Sequence, residues 1–534
     1  MYIPDPNRMM SSLSTVRSIY YRGSLEHCNY TCSYCPFGRK SVSADTTEDQ
    51  EALDRFISRI GGWKYGSLRI LIIPYGEAMI HRYYREGIMR LAAMPHVIGV
   101  SCQTNLSFSV SRFLDEAEVE QADVSKFRFW ASYHPEMVGV GEFASKVEML
   151  RAAGIGVCAG AVGDPSAKEQ IRKLRQLLDP SVYLFVNAMQ GLRKPLSEED
   201  IRFFGEIDNL FDYDRRNAKA CLDGCVGGRE TLFIDRKGDM YACPRSGIRM
   251  GNFYDDPTSD FEPFCLRKVC DCYIAFSNLC DTPLRRMMGD GALWRIPERK
   301  KVEAVFFDVD GTLTDAQGRI PDRTVSVLEY MAKRLPLYLS TALPVSHAKK
   351  RLGNVFGLFS GGVFADGGLL CYGETIECVP IANPMTAGFP GCRVTRYTRE
   401  GKVFKYAVLA PNTREAVRWL TELDEEAYQL YQEGRLLTVV DSKAGKKNGL
   451  ITLCARLGIS LREVLVVGNT MHDWPMMSVA GYSCAVMDAE EKLRKLSGYV
   501  LNPDSIPVFL ISDFIWPRCS QACRRYRLSG CRPG

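Results

Sequence analysis

Long apolar runs are missing from this 534-residue chain. None reaches the roughly 20 residues a membrane helix needs, and LRILII is only strand-sized. The opening stretch MYIPDPNRMMSSLS has no apolar signal core. On these grounds neither a membrane span nor an export signal is expected, and the protein is expected to stay in the cytoplasm. A strong charge of one sign is also missing. The net charge of +5 makes no case for nucleic-acid binding as the main role. Apolar content of 46% and charged content of 25% are ordinary for a soluble globular protein. The length exceeds a single core, so two to four domains are expected.

Cysteine, by contrast, is plentiful: the chain has 20. In a reducing cytoplasm such thiols are metal ligands rather than disulfides. Those before residue 281 cluster in two groups, whereas those of the second half are scattered except at the C-terminus. The asymmetry suggests a metal-rich front and a different back. The tail CSQACRRYRLSGCRPG, with Cys519, Cys523 and Cys531, reads as a solvated segment with free thiols.

Cys28, Cys32 and Cys35 stand as C-x3-C-x2-C in EHCNYTCSYCPFG. Three soft ligands in one loop suit an iron–sulfur cluster with one iron left open. A zinc site favours two Cys pairs, and no second pair lies nearby. With Tyr34 before the last Cys, the motif resembles the radical S-adenosylmethionine (SAM) signature. The resemblance implies a [4Fe–4S] cluster whose open iron binds SAM, reductive cleavage to a 5′-deoxyadenosyl radical, and hydrogen abstraction. It also implies an electron donor such as flavodoxin or ferredoxin.

Six apolar runs, SIYYRGSL, SLRILIIP, VIGVSC, FRFWASY, GIGVCAGAV and VYLFVNA, alternate with amphipathic stretches such as EALDRFISRI and KEQIRKLRQLL. The alternation predicts parallel βα units, and the resemblance implies an open (β/α)6 barrel over residues 1–212. Active residues then sit at the C-terminal strand ends. Gly76 and Glu77 end the second strand and resemble the segment that holds the SAM amino group. Thr104 and Asn105 end the third, in a turn near the SAM carboxylate and ribose in that family. Ser132, in Ser132-Tyr133-His134, ends the fourth, where similar residues approach SAM or substrate.

Cys225 and Cys243 frame GCVGGRETLFIDRKGDMYACP, which reads as a hairpin bringing its flanking thiols to one end. It resembles the opening of the SPASM and twitch extensions that hold auxiliary [4Fe–4S] clusters. One auxiliary cluster over residues 213–290 is expected, held by Cys225, Cys243, Cys270 and Cys272, with Cys221 and Cys265 as rival ligands and a zinc knuckle as the alternative.

After a Gly- and charge-rich junction comes VEAVFFDVDGTLTD, a strand ending in Asp308 and Asp310 on one side. It resembles motif I of the haloacid-dehalogenase (HAD) superfamily. The resemblance implies that Asp308 attacks phosphorus and Asp310 acts as acid and base, with Mg2+ between them. Thr341 resembles motif II, and Lys446, rather than Lys447, motif III. GNTMHD resembles motif IV, with Asp473 kept, Asn469 in place of an acid and His472 in place of an Asn. An Asn ligates Mg2+ through its carbonyl without supplying charge. The long interval between motifs II and III predicts a C2-type cap over about residues 373–440 of a Rossmann-like, Cof-like domain spanning 301–534. Within it, REAVRWLTELDEEAYQLYQ is expected to be one helix.

The whole chain is therefore expected to be α/β. It would act on a phosphorylated small molecule such as a sugar or nucleoside phosphate, first by radical chemistry and then by phosphate removal. Two other readings stay open: a peptide-modifying maturase, and an enzyme whose HAD half only binds.

Overall fold

The computed structural model describes residues 11–510 apart from 36, 38–45, 190–194, 217, 220–223, 256–260, 262, 264, 266–268, 271, 281, 297–301 and 386–388. Cys221 and the C-terminal cysteines lie outside the described residues. The chain divides into two compact units, Met1–Glu298 and Arg299–Gly534.

In the first unit the six apolar runs form β1 (Ser18–Arg22), β2 (Leu68–Ile72), β3 (Val97–Thr104), β4 (Phe127–Tyr133), β5 (Gly156–Gly163) and β6 (Leu184–Ala188). They pair in parallel and in chain order. Side-chain alternation gives the sheet two faces. One packs on the crossover helices: Leu53, Phe56, Ile57 and Ile60 recur at helical spacing along Thr47–Gly61 and are buried. Phe56 stacks on Tyr21 of β1 at 4.2 Å between ring centroids.

Residues beyond the sixth strand cover the other face. The Tyr20 hydroxyl reaches Ser277 Oγ and Asn278 Oδ1 at 3.3 and 3.2 Å. The ring of Trp294 lies on Gly99, where a Cβ would meet it at 2.6 Å. Arg295 is fully buried, over the rings of Trp130 and Phe185, and pairs with buried Asp214 at 2.7 Å. Removing one partner leaves a charge in an apolar interior. Arg295→Met should therefore destabilise this unit by about 3–5 kcal/mol in urea unfolding, and adding Asp214→Leu should recover most of the loss. Equal losses in the single and double variants would contradict the pairing.

The expected hairpin forms from Thr231–Asp235 and Asp239–Tyr241. Its first strand also pairs in parallel with β1, so the cysteine-rich segment extends the main sheet.

The second unit has a Rossmann-like sheet. Ala304–Phe307 is central, with Leu337–Ser340 and Gly361–Phe364 on one side and Val464–Gly468, Tyr482–Ala485 and Tyr499–Val500 on the other, all parallel. The chain thus reverses direction across the sheet at Ala304–Phe307, and such switch points open a crevice at the C-terminal strand ends.

A four-stranded antiparallel sheet is inserted, ordered Arg393–Arg399, Lys402–Leu409, Leu436–Asp441, Tyr428–Glu433. The segment expected to be one helix is not. The helix covers only Thr413–Glu422, and Tyr428–Glu433 is a strand. Asp424 breaks the helix with a turn that takes the amide of Glu426. From there the period becomes two, with Tyr428 and Leu430 in the inserted sheet's core and Gln429 and Tyr431 on the opposite face.

Candidate functional site

Asp308, Thr341 and Asn469 each follow one of three adjacent parallel strands. Lys446, the first residue of helix Lys446–Leu457, joins the group from the side. Its buried Nζ donates to Asp308 Oδ1 and Asp473 Oδ1, both at 2.7 Å. Thr312 Oγ1, with one proton to give, lies 3.2 Å from Asp308 Oδ2 and 3.3 Å from Asn469 Oδ1. Asp473 Oδ2 accepts the amides of Asn469 and Thr470. Gly311, at φ +76°, is required here, because a Cβ would meet the Asn469 amide at 2.2 Å. Burial pushes Asp308 up to about 6, against the attraction of Lys446.

Asp310 stands at the exposed edge, where Arg351 Nε and Nη2 donate to its Oδ1 at 2.8 and 2.6 Å. Thr341 is buried and caps the turn through the amide of Leu343. Asp366, in a left-handed conformation, accepts Lys405 Nζ at 2.8 Å, and that lysine also donates to Ala342 O. His472 Nε2 lies 3.2 Å from Asp366 Oδ1, under the ring of Tyr431 at 4.2 Å. Burial would push Asp366 up, but Lys405, then His472 and Lys446, hold it well below the usual carboxylate range. Arg351, Asp366, Lys405 and Tyr431 were not singled out in the sequence. Only the DGG at Asp366 marked a special turn.

Two buried carboxylates share one ammonium here, and the remaining donors are hard oxygens. Hard oxygen donors of this kind are chemically suited to Mg2+. With the side chains placed as described, no three His, Cys, Asp or Glu among the described residues converge closely enough to hold a metal ion.

In the first unit, the loop after β1 carries Cys28, Cys32 and Cys35. Cys28 Sγ accepts the Tyr30 amide at 3.4 Å and Asn105 Nδ2 at 3.7 Å. Cys32 Sγ and the Tyr34 hydroxyl lie 3.3 and 3.0 Å from His134 Nδ1. Burial pushes Cys32 up to about 11, reinforced by Cys35 and Cys28, and burial lowers His134 to about 4. Gly76 docks on the same loop, where a Cβ would meet His27 O at 2.1 Å.

Buried Glu77 accepts Thr104 Oγ1 at 2.6 Å and the amides of Asn105 and Met79 at 2.6 and 3.1 Å. Gly76, Glu77, Thr104, Asn105 and Cys28 thus form one linked group, with Tyr34, Cys32 and His134 beside it. Ser132 makes no hydrogen bond to either group among the described residues. Burial pushes Glu77 up to about 7, and among the described residues no cation offsets it. A carboxyl raised in the folded state contributes stability that is present below its usual value and lost as pH rises through about 7. Relative to Glu77→Gln, the wild type should lose on the order of 3 kcal/mol between pH 4 and pH 8. Urea unfolding at the two pH values measures this, and a pH-independent difference would contradict it.

In the cysteine-rich segment, burial raises Cys225, with Cys265 and Cys280 adding to the effect. Burial pushes Cys243 up to about 12, with Cys265, Cys225 and Cys272 adding. Cys270, in strand Val269–Cys270, acts on Tyr213.

Residues 403–505 match the family described as haloacid dehalogenase-like hydrolase. A phosphoglycolate phosphatase of Methanobrevibacter smithii is 26% identical over 221 residues, spanning 37% of this chain and 92% of that protein. Another, from Archaeoglobus fulgidus, is 25% identical over 225 residues, spanning 40% and 97%. A solved haloacid dehalogenase-like hydrolase from Bacteroides thetaiotaomicron is 18% identical, covering 39% of this chain and 97% of its own, at a TM-score of 0.33. The second unit therefore contains a HAD-type phosphatase domain, and the protein is an enzyme through it. Among the described residues, no helix is long and apolar enough to cross a membrane.

Proposed function

We propose, from the premise of a C-terminal HAD-type phosphatase domain, that the chain is a bifunctional enzyme acting on a phosphorylated small molecule. The second unit hydrolyses a phosphate monoester, and the relatives named phosphoglycolate phosphatases support a small substrate. Asp308 is the nucleophile that takes the phosphoryl group. Lys446, between Asp308 and Asp473, aims that carboxylate and offsets charge on the phosphoryl oxygens. Asp310, steadied by Arg351, serves the leaving group as acid and the hydrolytic water as base. Mg2+ at Asp308, Asp310, Asn469 and Asp473 would supply charge neutralisation.

The first unit carries the radical SAM reading. Cys28, Cys32 and Cys35 would hold a [4Fe–4S] cluster, and Gly76, Glu77, Thr104, Asn105, Ser132 and Tyr34 would line the SAM site. When bound, these groups supply one-electron SAM cleavage and hydrogen abstraction, with electrons from a donor such as flavodoxin or ferredoxin. The Cys225–Cys243 hairpin would hold one auxiliary cluster. The observation that carries this half is Glu77: a buried carboxylate with no cation on it among the described residues, linked through Asn105 to Cys28, fits an ammonium ligand beside the thiol loop. Joining both activities on one chain raises the effective concentration of the shared intermediate.

The test is anaerobic reconstitution with iron and sulfide, followed by iron analysis and electron paramagnetic resonance. A reduced cluster signal lost in the Cys28→Ala/Cys32→Ala/Cys35→Ala variant supports the reading. Zinc bound in place of iron, or a signal independent of those cysteines, overturns it.

A further inference from the structure

We propose that Arg22 forms an anion site for the phosphate of the substrate at the C-terminal end of β1. The inference rests on the reading of the first unit as a substrate-transforming domain, and it names the group by which that domain holds its substrate.

Arg22 is the last residue of β1 and shares a face with Tyr20, alternating with Tyr21, so it projects from the face opposite the crossover helices. In parallel α/β sheets, ligands bind at this end of the strands. The cysteine loop begins just beyond it. The guanidinium is fixed in place: Nε donates to Ile73 O at 2.9 Å, and Nη1 donates to the Tyr75 hydroxyl at 3.1 Å. The Tyr75 ring lies 4.3 Å away and the Phe233 ring 5.3 Å away. Phe37 stacks on Tyr75 at 4.7 Å, bracing it.

No carboxylate pairs with Arg22 among the described residues, whereas the buried guanidiniums of Arg85 and Arg295 pair with Glu116 and Asp214. Burial pushes Arg22 down, with Tyr75 and then Cys272 opposing the shift. A guanidinium has five donors, and these two bonds leave the Nη2 edge for a ligand. A rigid planar fork held by aromatic faces matches phosphate geometry. A half-buried cation without a counter-ion favours an anion that arrives from solution.

Equilibrium dialysis of the full chain with inorganic phosphate, in Mg2+ buffer without SAM or reductant, tests this. The wild type should bind two phosphates per chain, one in each unit. Arg22→Gln should bind one and should hydrolyse phosphoglycolate at the wild-type rate. Arg22→Lys should keep the first-unit site with affinity lowered about 10–100-fold, because the fork is gone. Tyr75→Phe keeps the ring and removes one steadying bond, so it should weaken the site less.

Two phosphates bound by Arg22→Gln would overturn the proposal, as would one site in the wild type that survives the substitution. Loss of iron from Arg22→Gln after reconstitution, with phosphate stoichiometry unchanged, would assign Arg22 to the Cys272 thiolate instead. Because the dialysis needs no cluster, a failed radical reaction and a missing anion site are separate results.

Discussion

Asp308→Asn should abolish phosphate release, with kcat falling on the order of 10^4-fold or more. In the proposed mechanism this carboxylate takes the phosphoryl unit. It is buried, and Lys446 and Thr312 aim its two oxygens. The amide keeps the shape but replaces the attacking oxygen with a nitrogen that carries no charge. The fold should survive, because Lys446 retains Asp473. In a full turnover the product should then keep its phosphate, while any SAM cleavage in the first unit continues. A continuous phosphate assay on phosphoglycolate measures the effect. Residual turnover within tenfold of wild type would place the nucleophile elsewhere.

Lys446→Met should do more damage to the fold. One ammonium holds two buried carboxylates, and its removal leaves Asp308 and Asp473 facing each other unpaired. Losing one partner of a buried pair costs about 3–5 kcal/mol, and this site should lie near the upper end at pH 8. The loss should shrink as pH falls. Asp308 already stands near 6 with Lys446 present, and without the lysine it rises further, so its protonation relieves the repulsion. Urea unfolding of the second unit at pH 8 and pH 5 reads both effects. A pH-independent loss would mean that Lys446 acts by packing, not by charge.

The legible parts of the sequence were local. Each strand of the first sheet is an apolar run between turn signals, and DVDGT announces its strand end by spacing alone. Lys446 was preferred over Lys447 from its spacing to Leu457-Gly458, and the structure places its ammonium between the two acids. The rest depended on pairings distant in sequence. Nothing in TLFID shows that it lies beside β1, because parallel pairing with a strand some 200 residues earlier leaves no local mark. Arg295 reads as a surface arginine in a charged junction, yet it is buried against Asp214. Tyr428–Glu433 read as helix because charged and apolar residues intermix at both periods there, and the inserted sheet decides between them. Arg351, Lys405 and Asp366 pair across elements that only the fold brings together.

The most direct measurement uses the anaerobically reconstituted chain with SAM, reductant and a panel of phosphosugars and nucleotides. 5′-Deoxyadenosine and free phosphate are followed in the same reaction. One compound should raise both signals, and Asp308→Asn should remove only the phosphate. Phosphate release without any compound-dependent 5′-deoxyadenosine would contradict the account, leaving a phosphatase whose first unit does other work.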